Sequence, residues 1–86
     1  MLTKDEMQKE LIPKFAEELG LEERGIDIKK DFNEYGLSSV TAVGLVGELE
    51  ELLRQELSPT LILEHPTIES LAQYLTDKAN NGIEKD

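Results

Sequence analysis

The chain has 86 residues, 38% hydrophobic and 33% charged, with a formal net charge of -10 and no cysteine. That length supports one small domain, which removes about 60% of its unfolded surface from water, and the composition is too apolar for a wholly disordered chain. Without cysteine there is no disulfide framework, thiolate metal site or cysteine nucleophile, and the negative charge argues against nucleic-acid partners.

Residues 1–10, MLTKDEMQKE, carry charges where a signal peptide needs an apolar run. No stretch approaches the ~20 apolar residues that span a bilayer, so a cytoplasmic protein with no membrane partner is expected. Thr3 and Glu6 have the spacing of a capping box, and Met7, Leu11, Phe15 and Leu19 follow at four-residue intervals before Gly20. This predicts a first helix that Gly20 ends. Pro13 falls inside it, where a proline costs ~3 kcal/mol, and a bend is expected there in preference to a helix that starts near Pro13.

Residues 20–38 lack a helical period and scatter Leu21, Ile26, Ile28, Phe32, Tyr35 and Leu37 among charges. They predict a long ordered loop pinned to the core by those side chains, and its length is itself a mild functional signal. A second helix is expected from Ser39 to Glu56, capped by Ser38 or Ser39 and stopped by Ser58-Pro59. Ala42, Leu45, Val46, Leu49, Leu52 and Leu53 form its core stripe. Thr60 to Glu64 reads as one or two short turns closed by His65-Pro66. Thr67 then caps a last helix burying Ile68, Leu71, Ala72 and Leu75, which fades into a polar tail from Lys78. The expectation is an all-α domain over residues 1–79, a small bundle of three main helices plus one short helix, with residues 80–86 as a polar tail or linker.

The second helix has a remainder once its core stripe is removed. Val40, Val43, Gly44, Gly47 and Glu51 share another face directly after Ser39, with Glu48 alongside. Each interior glycine costs ~1 kcal/mol relative to alanine. Either the glycines let another helix approach closely, or they leave a flat docking surface. The nine basic residues fall largely before Ser39, while from Ser39 to Asp77 the only one is Arg54 against seven acids. That half of the chain suits a positively charged partner. Of the two serines, one can cap the helix while the other exposes its hydroxyl. The free N–H groups and positive dipole end there suit a phosphate ester.

Gly36-Leu37-Ser38-Ser39-Val40, followed by Ala42-Val43-x-Leu45 and Leu49-Glu50, resembles the G-x-D-S-L signature and second helix of acyl carrier protein domains. Leu57-Ser58-Pro59-Thr60-Leu61 and Glu64-His65-Pro66-Thr67-Ile68 are similar to the segments that lead into the third and fourth helices of carrier domains from modular polyketide synthases. Ala16-Glu17-Glu18-Leu19-Gly20-Leu21 and Asp31-Phe32-x-x-Tyr35-Gly36 fit the same pattern, so the resemblance covers about residues 7–77. It implies a 4'-phosphopantetheine arm on Ser39, within the Gly36, Leu37, Ser38 signature, whose thiol holds an acyl chain as a thioester. The chain would be a carrier and no enzyme. It would be loaded by a phosphopantetheinyl transferase and would then serve a ketosynthase, an acyltransferase and other synthase domains with basic docking surfaces. The family's partner surface maps by position onto Val40, Val43, Gly44, Gly47, Glu50 and Glu51. A monomer is the default.

The sequence departs from the signature in places. Ser38 replaces the acid before the serine and Val40 replaces leucine, both where the transferase reads its substrate. Gly44 takes an often acidic position, and Leu45 stands where carriers for β-branching enzymes have tryptophan. The alternatives are a peptidyl carrier and a helical adaptor that never receives the arm. An enzyme fits poorly: GLSSV is no G-x-S-x-G elbow, and His65 beside Pro66 suits a turn. Glu48, Glu50 and Glu51 point to different sides of one helix, as on a solvated face. Gly44-Leu45-Val46-Gly47 matches the GxxG loop of RNA-binding KH domains by letters only.

Overall fold

The computed structural model describes residues 3–84, with side chains through residue 80. Among these residues the regular structure is entirely helical: α1 (Lys4–Leu19), α2 (Ser39–Leu53), the single turn α3 (Leu61–Glu64) and α4 (Ile68–Glu84), with 3-10 turns at Glu23–Gly25 and Phe32–Tyr35 between α1 and α2. The capping box forms as its spacing requires: Thr3 Oγ1 accepts from Glu6 N at 3.2 Å, and Thr3 N donates to Glu6 Oε1 at 2.9 Å. The Thr3 amide and hydroxyl hold the Glu6 carboxyl below its ordinary range. The carboxylate half of the cap is therefore complete at neutral pH and weakens as the pH falls through that lowered value, while the bond from Glu6 N to Thr3 Oγ1 does not titrate. Gly20, at φ 70°, ends α1 in a left-handed cap.

The core draws Met7, Leu11 and Phe15 from α1, Ala42, Leu45, Val46 and Leu49 from α2, and Ile68, Leu71, Ala72 and Leu75 from α4. Leu57, Leu61 and Ile62 close it from the α2–α3 side. Pro13 lies inside α1, which runs through it from Lys4, so the helix does not start at the proline. Thr67 caps α4 as expected, its Oγ1 accepting from Ser70 N at 3.0 Å.

Four expectations need correction. The second helix stops at Leu53, short of Glu56, because Arg54 takes a left-handed conformation at φ 56° and turns its N–H back onto Glu50 O. That turn brings Leu57 into the core, where it is buried, while Leu52, counted in the core stripe, is left 42% exposed. Leu21 was to pin the loop and is instead exposed, since the chain has just turned outward at Gly20. Finally, the backbone from Lys78 to Glu84 continues α4. No proline follows Pro66 to break it. Lys85 and Asp86, the end of the expected tail, lie outside the described residues.

Candidate functional site

The approach to Ser39 is held by the loop that the sequence left without regular structure. Phe32 is buried and stacks on Phe15, with ring centroids 4.6 Å apart and planes 3° from parallel. Two backbone bonds strap the loop to the start of α4: Phe32 N donates to Pro66 O at 2.7 Å, and Glu69 N donates to Ile28 O at 2.9 Å. Ile26, Ile28 and Leu37 pack on the core from the same segment. Tyr35 Oη accepts from Asp27 N at 2.6 Å and closes the loop on itself. Gly36, at φ 80°, ends the 3-10 turn by returning its N–H to Asn33 O and Phe32 O. A side chain at that φ would be strained, so the glycine sets the direction in which the chain enters α2.

The paired serines divide the work. Ser38 is the N-cap: its Oγ accepts from Thr41 N at 3.1 Å and donates to Thr41 Oγ1 at 3.0 Å. Ser39 is the first helical residue and is exposed. The first turn of α2 contains no acid, and the amides of Ser39 and Val40 precede the first internal bond, which Ala42 N makes to Ser38 O at 2.9 Å. A phosphate ester on Ser39 Oγ would meet the positive end of the helix dipole in water-accessible space. The residues present therefore fit a phosphopantetheine arm at this position.

Beyond Ser39, Val40 is 81% exposed and Val43 51%. A Cβ added at Gly44 or Gly47 would meet nothing within 4 Å. That rules out the reading in which these glycines admit another helix of the bundle. The acids differ in their engagement. Glu48 pairs with Lys14 of α1 at 3.8 Å, Glu51 is exposed, and Glu50 is half-buried with its Oε2 accepting from Leu57 N at 2.8 Å. Glu50 is thus a brace for the α2–α3 turn, a role the sequence did not reveal. Glu50→Ala should cost about 1–2 kcal/mol in urea unfolding, because the Leu57 N–H loses its partner, and Glu50→Gln should cost less, since an acceptor remains.

A cavity of about 110 Å³ opens beside Ser39, lined in part by Asp31, Phe32, Leu37, Ile62 and Leu63. Leu63 is 63% exposed at this site and was missed by the sequence reading. The signal was available: three consecutive apolar residues, Leu61-Ile62-Leu63, cannot all face inward from a single helical turn. The other candidates resolve as structure. His65 Nδ1 lies 3.0 Å from Ser70 Oγ and its ring stacks on Tyr74. Gly44 and Gly47 lie within a regular helix, which excludes a GxxG loop. Among the described residues no group of acids and histidine is arranged to hold a metal, and no helix is long and apolar enough to cross a membrane.

A four-helix domain with a free hydroxyl at the head of its second helix, reached through a strapped loop, defines a small carrier module. The comparisons agree. The family described as "Phosphopantetheine attachment site" matches residues 9–75, and the chain belongs to it. The chain is 36% identical over 75 residues to one component of the phenolphthiocerol/phthiocerol polyketide synthase of Mycobacterium tuberculosis, covering 87% of this chain but 4% of that protein. Among solved structures it is similar to a free-standing peptidyl carrier protein from Acinetobacter baumannii, with a TM-score of 0.83 and 37% identity over 87% of this chain and 94% of that one. It is also similar to an acyl carrier protein from Anabaena with a variant phosphopantetheinylation-site sequence, with a TM-score of 0.77 and 40% identity over 85% and 83% of the two chains. The chain is accordingly a carrier domain of the family that bears covalent 4'-phosphopantetheine, and carriers of this kind are not themselves enzymes.

Proposed function

We propose that Ser39 is the residue that carries the arm, and that the chain presents acyl intermediates of polyketide assembly on it. The observation that supports this reading is the division between the serines: Ser38 is engaged as the helix cap, while Ser39 is exposed at the helix head. In the loading step Ser39 Oγ attacks the β-phosphorus of coenzyme A. A P–O bond forms to Oγ as the bond to the departing adenosine bisphosphate breaks, and the hydroxyl proton passes to a base of the transferase. The thioester cargo then travels to a ketosynthase, an acyltransferase and other synthase domains. The polyketide synthase relative favours an acyl cargo. Similarity to the Acinetobacter baumannii carrier keeps an aminoacyl cargo as the second reading. Residues 1–79 are the proposed working unit, acting as a cytoplasmic monomer, with α4 running on past it to Glu84.

The absence of cysteine makes the test simple. A thiol reagent should find no reactive thiol in the unmodified chain and one per chain after incubation with coenzyme A and a broad-specificity transferase. No gain of thiol would contradict the reading. A second consequence follows from the missing acid in the first turn of α2. The phosphodiester supplies a negative charge there, so the loaded protein should resist urea more than the unmodified one by about 0.3–1 kcal/mol. Ser38→Asp, which also caps, should recover part of that gain without the arm. Equal stability of the two forms would contradict the charge placement.

A further inference from the structure

A second recess, of about 430 Å³, lies against α4 and the first residue of α1, and none of its lining residues lines the cavity beside Ser39. Part of its wall is aromatic. The rings of His65 and Tyr74 stack there with centroids 4.7 Å apart and planes 29° from parallel, and both residues are half-buried. The charges of the recess do not balance. Lys4 and Glu69 face each other at 3.6 Å and cancel. Asp77, exposed, accepts from Gln73 Nε2 at 3.0 Å through Oδ1, but among the described residues no cation pairs with it. With His65 neutral, one negative charge is left over beside a pair of flat rings. A lysine ammonium, a compact and strongly hydrated point, would answer the charge alone. A guanidinium is planar and less hydrated, so it can lie against the rings while its N–H groups bond the carboxylate.

We propose that this recess receives an arginine side chain of a partner protein, with the guanidinium against His65 and Tyr74 and bonded to Asp77. The net charge of -10 draws basic partners of either kind from a distance, and the recess selects arginine over lysine. No residue of α2 lines it. A partner held here therefore leaves the head of α2 open, and the chain can stay anchored to one protein while Ser39 is reached by another.

The test titrates the unmodified chain with N-acetylarginine amide at fixed ionic strength, with N-acetyllysine amide as the comparison, and follows both by two-dimensional NMR. The arginine probe should give saturable shifts at the His65 ring and at the amides of Gln73, Tyr74 and Asp77, with a Kd in the millimolar range that suits one exposed contact. The lysine probe should bind at least about threefold more weakly. Asp77→Asn, which keeps an acceptor for Gln73, should weaken the arginine probe by about threefold or more while the helical circular-dichroism spectrum is unchanged. Glu17→Gln, which removes an exposed acid of α1 outside the recess, should leave the titration as it is. Absence of saturable shifts at the recess, equal binding of the two probes, or unaltered binding by Asp77→Asn would overturn the proposal. The probes do not involve the arm, so these outcomes are separate from whether Ser39 is loaded.

Discussion

Phe32→Ala should cost about 3–5 kcal/mol of unfolding free energy, as for other buried phenylalanines. A domain of this kind has about 5–15 kcal/mol in total, so the loss is a large share of its stability. The side chain is buried against Phe15, and its backbone N–H is bonded to Pro66 O. The substitution leaves a cavity in the core and loosens the strap that orients Gly36 and the serines. Urea unfolding followed by circular dichroism measures the first effect. Hydrogen exchange at the Phe32 and Leu37 amides measures the second, because Leu37 N donates to Phe32 O at 3.3 Å. Leu21→Ala, at an exposed position of the same loop, should stay within about 0.5 kcal/mol of the parent. A loss below about 1 kcal/mol for Phe32→Ala would show that the loop is not held as described.

The second large effect has the opposite sign. Gly44→Ala and Gly47→Ala should each stabilise the domain by about 0.5–1 kcal/mol, and the pair together by about 1–2 kcal/mol. Alanine lowers the entropy of the unfolded chain and suits a helix interior, and at both positions its methyl meets open space. Had the glycines admitted a neighbouring helix, both changes would destabilise. Denaturant midpoints therefore test the open space found at both positions. Destabilisation by either alanine would mean that something packs closely on α2 in solution.

The helices were legible because their signals are local. The Thr3 and Glu6 capping box, the four-residue spacing from Met7 to Phe15, and the Ile68 to Leu75 face each fix a helix within a few turns of chain. Ser39, the proposed attachment serine, stood out for the same reason, as a hydroxyl just inside a helix start. What escaped depends on contacts between distant segments. Glu50 reads as one more surface acid until Leu57 folds back to it, and that requires the left-handed turn at Arg54, a residue with no intrinsic preference for it. Leu52 fits the core period, yet it sits one residue before the end of α2, where too little of the bundle remains to cover it. The strap from Phe32 to Pro66 joins segments that no periodicity relates.

The central claim is that Ser39, and no neighbouring hydroxyl, receives the arm. The most direct measurement is fragmentation mass spectrometry of the loaded chain, set beside the intact masses of Ser38→Ala and Ser39→Ala. The modification should map to Ser39. Ser38→Ala should still load, after losing about 1 kcal/mol of stability with its cap, and Ser39→Ala should gain no mass. An arm found on Ser38 or Thr41, or a Ser39→Ala chain that loads like the parent, would contradict the account.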